Sequence, residues 1–118
     1  DYLAARAWQV GLRNAVKGLF DQVEVLATPT VGANRKIIGE SAILVDDQPV
    51  SYRLVLSWFS SLVNHMGVPA LAMPILGTGS LPSSLQLIGP WWSERRLLQI
   101  GRELERAEVV GFRPPPIW

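Results

Sequence analysis

The chain has 118 residues, 48% of them hydrophobic, which is enough for one domain to bury a core without disulfides or metal ions. Its 11 basic and 10 acidic residues are scattered and give a net charge of +1, so no electrostatic field would concentrate nucleic acid or an anionic membrane surface. The absence of cysteine excludes disulfides and thiolate chemistry and fits a reducing compartment, so we expect a cytoplasmic protein.

The residue content also argues against a metal site and a membrane segment. His65 is the only histidine and few acidic residues are clustered, so no ligand set for zinc is expected. No apolar run approaches the roughly 20 residues that span a bilayer. The residues after Asp1 show neither the basic nor the apolar block of a signal peptide. Because the chain begins without a methionine, we expect a trimmed or excised piece of a longer protein.

The first half of the sequence predicts one helix and two short strands. Residues 2–20 place most apolar side chains near one helical face, which predicts an amphipathic helix. Residues 23–28 form a short apolar run stopped by Pro29, the pattern of a strand. Residues 30–49 are rich in glycine and polar side chains and predict a loop, in which only residues 42–45 are apolar enough for a strand.

The middle of the sequence predicts a buried helix followed by two strands. Ser51 can cap a helix that runs to about His65, and the apolar positions of this helix cover a wide face. Compact apolar runs at residues 70–73 and 84–88 are bounded by glycine and proline and predict buried strands.

The last predicted element is a helix that Ser93 can cap. Leu97, Ile100 and Leu104 form its apolar stripe, and Gly101 allows the close approach of a neighbouring element. Residues 112–118 follow with three consecutive prolines, so no regular structure is expected there.

Together these elements predict the α/β class, with one mixed sheet in a single structural unit that spans residues 1–118. Three short strands are too few for a comfortable self-sufficient sheet. We therefore expect the sheet to continue in sequence outside this chain.

The nucleophiles and bases of the sequence do not assemble into a catalytic set. A serine nucleophile needs a neighbouring base and an oxyanion site built from closely approaching backbone amides. The serine pairs at residues 60–61 and 83–84 lack flanking glycines, so we interpret them as capping or helix-surface hydroxyls. His65 can act as a base for a nearby serine, but at a helix end it also interacts with the last carbonyls. The remaining candidates are interpreted as solvated groups: Lys17, Lys36, Asp46, Asp47 and Glu94.

Three segments carry a more specific signal. Residues 25–30 read V-L-A-T-P-T and resemble the D-V-L-L-x-P-T segment of the amidase-signature family, with Glu24 where aspartate is more usual. Residues 64–74 read N-H-M-G-V-P-A-L-A-M-P and resemble its N-x-x-G-x-P-A-x-x-x-P segment. Residues 81–90 read L-P-S-S-L-Q-L-I-G-P and resemble G-L-P-x-G-x-Q-x-I-G. Since order and spacing also match, the chain is similar to the carboxy-terminal third of that family over nearly its whole length.

The resemblance implies the carboxy-terminal part of an α/β/α fold with a mixed central sheet. It also implies a full-length amidase that needs no cofactor and hydrolyses a carboxamide bond through a Ser/cis-Ser/Lys triad upstream of this chain. We therefore expect no catalytic residue here and no activity from the chain alone. The implied partners are a small-molecule amide and the amino-terminal amidase core. The chain is expected to supply sheet strands and part of the pocket wall, with Phe59, Ser60, Val63 and Asn64 facing the substrate.

Two departures from the family pattern bear on the pocket. Ser80 and Ser84 stand where the family has glycine, so the loop around Pro82 is expected to differ in shape. Relatives that bind an amino-acid substrate carry an acid on the helix before the asparagine, where this chain has Ser57, Trp58 and Phe59. A less polar amide is therefore the expected substrate.

A non-catalytic binding or oligomerisation module derived from the same fold is the alternative. Trp91, Trp92 and Trp118 are candidate interface anchors, because aromatic residues are enriched at interfaces, although packing against the amino-terminal core also explains them. Open strand edges and apolar surfaces predict that the chain self-associates when it is alone, so a homo-oligomer is among the expected assemblies.

Overall fold

The computed structural model describes residues 1–33, 35–77, 79 and 81–114, and the predicted turn residue Ser80 and anchor Trp118 lie outside them. The described elements are three helices and five short strands. No helix in the described part of the chain is long and apolar enough to cross a lipid bilayer. In chain order the elements are α1 Tyr2–Phe20, β1 Leu26–Pro29, β2 Ala42–Val45, β3 Gln48–Ser51, α2 Tyr52–Met66, β4 Ala70–Ile75, β5 Ser83–Ile88 and α3 Glu94–Arg106.

The three predicted helices are confirmed, and the capping residues account for their ends except at α3. Ser51 Oγ accepts a hydrogen bond from Leu54 N at 3.3 Å, which satisfies one of the free amides at the start of α2. Gly67 ends α2 with a φ of 69°, a left-handed conformation that glycine adopts without strain. Ser93 occupies the position before α3, but its hydroxyl makes no cap hydrogen bond, so the predicted side-chain cap is wrong.

β1, β5 and β4 form an antiparallel sheet in that order, with β5 in the centre. Ile88 of β5 stands between Leu26 and Ala70, and the register continues along both neighbours. The predicted α/β class is confirmed. The strand pairs within the described residues are antiparallel, and the outer edge of β1 is free of strand partners there.

The first two helices pack on one face of this sheet. Leu26 and Ile88 join a buried cluster with Val16 of α1 and with Val63 and Met66 of α2. Val68, in the turn before β4, completes the cluster. The core of the chain therefore lies between the α1–α2 pair and the sheet.

The third helix packs on the opposite face, so the helices and the sheet form three layers. Side chains alternate between the faces along a strand, and Leu71 and Met73 of β4 point away from the core cluster. A Cβ atom placed on Gly101 would lie 2.7 Å from Leu71 Cδ2 and 3.0 Å from Met73 Sδ. The predicted role of Gly101, close approach between α3 and its neighbour, is confirmed.

β2 and β3 form a separate hairpin that the sequence predicted only in part. Asp46 and Asp47 have φ angles of 49° and 60°, the two left-handed residues of a tight hairpin turn. The prediction of a turn at this pair is confirmed. β3 was missed because Pro49 disfavours a strand, yet proline is tolerated on edge strands, and both strands of an isolated hairpin are edges.

Two further prolines belong to strands, Pro29 as the last residue of β1 and Pro74 one residue before the end of β4. Thr30 N donates to Ser84 O at 3.3 Å, so the alternate residue Pro29 turns its nitrogen away from β5. Pro74 likewise faces outward, where its carbonyl accepts a hydrogen bond from Gly111 N at 3.0 Å. Because an outward-facing nitrogen needs no partner in the sheet, both strands accommodate their prolines, and β4 continues for one residue past Pro74 whereas β1 ends at Pro29.

Candidate functional site

The four predicted pocket residues form one stripe along α2. Residues four positions apart share a helical face, so Phe59 and Val63 make one row and Ser60 and Asn64 make the row beside it. Val63 is buried in the core cluster, Phe59 and Ser60 are half-buried, and Asn64 is exposed. The stripe therefore runs from the core to the surface, and we name these four residues the α2 stripe.

Only part of the α2 stripe is free to meet another molecule. Ser60 Oγ donates to Ser57 O at 3.3 Å, so its hydroxyl is held by its own helix. Val63 fills a core position with 6% exposure. No hydrogen bond joins the Asn64 amide to another described residue, and this side chain is the polar group that the α2 stripe presents to its surroundings.

His65 follows the α2 stripe but does not pair with a serine hydroxyl. Its Nδ1 lies 2.7 Å from Ser61 O, and since a carbonyl oxygen only accepts, Nδ1 carries the proton in this contact. The ring also meets Trp8 edge-on, with 5.6 Å between the ring centroids. His65 therefore contacts the backbone at the end of its own helix, as the helix-end interpretation predicts, and also contacts α1 through Trp8.

The lysines and the aspartate pair are likewise solvated. Lys17 is exposed at the end of α1, and Lys36 lies in the exposed loop with its Nζ 5.9 Å from the Tyr52 ring centroid. Asp46 and Asp47 form the hairpin turn and are exposed. A lysine that acts as a neutral base must be removed from water, and both of these lysines are exposed.

A polar row on the sheet went unnoticed in the sequence. Gln86 is only 5% exposed, and its Nε2 donates to Thr28 Oγ1 of the neighbouring strand at 3.2 Å. Thr30 and Ser84 stand next along the same two strands and on the same face. The Thr30 hydroxyl oxygen is buried without a hydrogen-bond partner among the described residues. Gln86 and both threonines belong to the family motifs, and this membership is the sequence signal that could have pointed to the row.

A cleft of about 440 Å³ lies at the ends of the sheet strands, and we name it the strand-end cleft. β1 and β4 both run antiparallel to β5, so the carboxyl ends of β1 and β4 meet there beside the start of β5. None of the α2 stripe lines it, and neither does any charged residue of the described chain. The lining residues are Ala27, Thr28, Pro29, Val31, Ile75, Pro82, Ser83, Ser84 and Leu85.

The sequence model of the amidase family matches residues 1–98 of this chain, a range that includes all three motifs and the start of α3. The chain belongs to the amidase family. Its amidase relatives include a fatty acid amide hydrolase of Arabidopsis thaliana, 28% identical over 97% of this chain. They also include a subunit of the glutamyl-tRNA(Gln) amidotransferase of Azoarcus sp. (strain BH72), 35% identical over 97% of this chain.

Solved structures agree with the amidase family at the level of the fold. One, from work on a vestigial protein complex and the evolutionary origins of an s-triazine catabolic enzyme, superposes on 96% of this chain with a TM-score of 0.87 and 24% identity. A crystal structure of an amidase superposes on 94% with a TM-score of 0.83 and 23% identity. The chain spans 19% and 23% of the two curated relatives and 25% of each solved chain.

Proposed function

We propose that this chain is the carboxy-terminal scaffold and pocket wall of an amidase that hydrolyses a carboxamide bond. The Ser/cis-Ser/Lys triad would lie upstream, in the amino-terminal amidase core, and the parent protein would form an acyl-enzyme without a cofactor. The family match over residues 1–98 carries the proposal. The span of only about a fifth of the relatives supports the location of the triad outside this chain.

Within this proposal the α2 stripe supplies the wall of the substrate pocket. Asn64 is the residue that contacts the amide, because its side chain is exposed and carries both a donor and an acceptor. Phe59 and Ser60 border the substrate from the half-buried part of the stripe. Val63 is part of the core cluster and holds the stripe against the sheet at the buried border of the pocket.

The test of the pocket wall is an asparagine pair in the full-length protein. Asn64→Ala is expected to raise KM or lower kcat for the amide, because a hydrogen bond to the substrate is lost. Asn14→Ala, at an exposed position of α1, is the matched control and should leave both constants unchanged. If the two variants had equal KM and kcat, the proposed contact between Asn64 and the substrate would be contradicted.

The location of the chemistry is tested with the chain itself. The 118-residue chain is expected to release no ammonia or amine from an amide, whereas the full-length protein is expected to do so. Amide cleavage by the chain that a serine-directed acylating reagent abolishes would contradict the proposal.

The preferred substrate in this proposal is an amide of low polarity. α2 contains no acidic residue along its 15 positions, so it offers no partner for the ammonium group of an amino-acid substrate. Of the two relatives, one is named a fatty acid amide hydrolase and the other an amidotransferase, and these names indicate which substrates to compare. A higher kcat/KM for glutamine than for an alkyl amide would contradict this preference.

The second candidate function is a non-catalytic binding or oligomerisation module, and Trp92 is the observation that favours it. This side chain is 90% exposed and its backbone has a φ of 69°, which is unusual for a bulky residue. Trp91 instead packs against the core cluster. Sedimentation of the chain that reveals a homo-oligomer, and its loss in Trp92→Ala, would support the module, whereas a monodisperse monomer would argue against it.

The gene upstream of Asp1 discriminates between the two functions. A glycine- and serine-rich signature in the same reading frame would support the amidase, and a start codon immediately before Asp1 would support the module. A cytoplasmic location is part of both proposals, and cell fractionation of the full-length protein tests it.

A further inference from the structure

One half of the sheet face that carries α3 has no helix over it among the described residues. Gly101 brings α3 against Leu71 and Met73 of β4, the outermost strand on that side. On the same face the side chains of Ala27 and Pro29 of β1 and of Leu85 of β5 line the strand-end cleft instead. Leu87, farther along β5 on this face, is only 4% exposed, so the uncovered half lies over the carboxyl end of β1 and the start of β5.

The width of the uncovered half corresponds to one helix. Neighbouring strands lie about 4.8 Å apart, so β1 lies roughly 10 Å from β4 across the sheet. Helices packed side by side are separated by about 8–10 Å. A helix beside α3 would consequently lie over β1 and fill the strand-end cleft.

We infer that the strand-end cleft is the docking surface for an amphipathic helix from the amino-terminal part of the parent protein. Like the proposed function, this inference rests on the chain being one part of a larger amidase, of which it spans about a fifth to a quarter. The cleft is lined by apolar and hydroxyl side chains with no charge among the described ones, as the apolar face of a helix requires. Val31 and Leu81, 36% and 42% exposed, extend the apolar surface into the loops beside it.

A helix fits this surface better than other occupants do. The floor of the cleft is a sheet face, and a sheet face in an α/β/α fold is covered by a helix layer. α3 already supplies half of that layer. It is the last helix among the described residues, so no later helix of the described chain can supply the other half. The upstream part of the parent protein is therefore the source of the missing half of the layer.

Cysteine labelling of the full-length protein tests the docking surface without an activity assay. This chain has no cysteine, so Val31→Cys and the matched control Val45→Cys each introduce a single thiol into it. The two positions have similar exposure here, 36% and 45%, but only Val31 lines the strand-end cleft. Labelling by a maleimide is measured on the corresponding peptides by mass spectrometry, and each rate is compared with the rate in urea.

The thiol at position 31 is expected to react at least about 100-fold more slowly in the native protein than in urea, since a docked helix must open before the reagent enters. A slowing of less than about 10-fold would overturn the inference. Protection that disappears on dilution would identify a second copy as the occupant, and protection that requires an added amide would identify a ligand. Either outcome would overturn the helix while leaving the proposed amidase activity intact.

A photocrosslink identifies the element that covers the cleft. Benzoylphenylalanine in place of Leu85 is expected to attach to an upstream peptide whose apolar residues recur every three or four positions. Attachment to a peptide of this chain from a second, isotope-labelled copy, or to no peptide, would contradict the docked helix. A loss of amidase activity with the helix crosslink still present would contradict only the proposed function.

Discussion

Gly32 connects the segment after β1 to the first turn of α2, and its replacement by alanine is expected to break this contact. Gly32 N donates to Val55 O at 3.0 Å, and a Cβ at position 32 would lie 2.6 Å from the same oxygen. Since the obstructing atom belongs to the backbone, rotation of a side chain cannot relieve the contact. A lost hydrogen bond and an overpacked contact together should lower the free energy of unfolding by about 2–4 kcal/mol.

Gly11→Ala is the matched control for this substitution. Gly11 lies inside α1 with no atom within 4 Å of an added Cβ, so alanine should raise the free energy of unfolding by about 0.5–1 kcal/mol through helix propensity. Urea unfolding of the chain followed by circular dichroism measures both variants. If Gly32→Ala unfolds at the wild-type urea concentration while Gly11→Ala behaves as expected, the contact between positions 32 and 55 does not exist in solution.

Four further substitutions probe the core, the helix caps and the surface. Met66→Ala should lower the free energy of unfolding by about 2–5 kcal/mol, because Met66 is 2% exposed in the core cluster, and a loss below about 1 kcal/mol in urea would contradict that position. Ser51→Ala should cost about 0.5–2 kcal/mol by removing a cap, whereas Ser93→Ala should cost nothing because its buried hydroxyl has no partner among the described residues; melting temperatures in the reverse order would refute this. Glu24→Gln should change stability by less than about 1 kcal/mol, since both partners of its 2.8 Å pair with Arg96 are exposed, and a larger loss in low salt would mean that the pair is covered.

The helices were predictable because their apolar side chains recur with the helical period. α1 spans Tyr2–Phe20 as expected, and Ser51 and Gly67 mark the ends of α2 by local hydrogen bonding and local backbone conformation. The hairpin was harder because its turn uses Asp46 and Asp47 in left-handed conformations, and aspartate is a weaker signal for such a turn than glycine. The hydrogen bonds between β2 and β3 compensate for the cost of placing two aspartates in left-handed conformations.

The polar row of the sheet could not be found from the sequence because it depends on strand register. Thr28 and Gln86 are 58 positions apart, and only the pairing of β1 with β5 brings them side by side. The α2 stripe is different, since residues four apart on a helix share a face whatever surrounds them. Helical spacing therefore places the four residues on one face, whereas the burial of Val63 depends on packing against α1 and the sheet.

The three family motifs turn out to be the three strands of one sheet. Residues 25–30 contain β1, residues 64–74 lead into β4 and residues 81–90 contain β5, so register holds the motifs together. The features that identify the family are thus carried by the sheet, while the residues proposed to meet substrate are carried by α2.

This separation predicts different consequences for neighbouring residues of the α2 stripe. Val63 contributes to the core cluster, so Val63→Ala should lower both the stability of the full-length protein and its activity. Asn64 is exposed, so Asn64→Ala should change the kinetics for an amide without changing the melting temperature. If both variants lose stability equally, Asn64 is a structural residue, and the polar contact to substrate must be sought elsewhere, first at the row formed by Thr28 and Gln86.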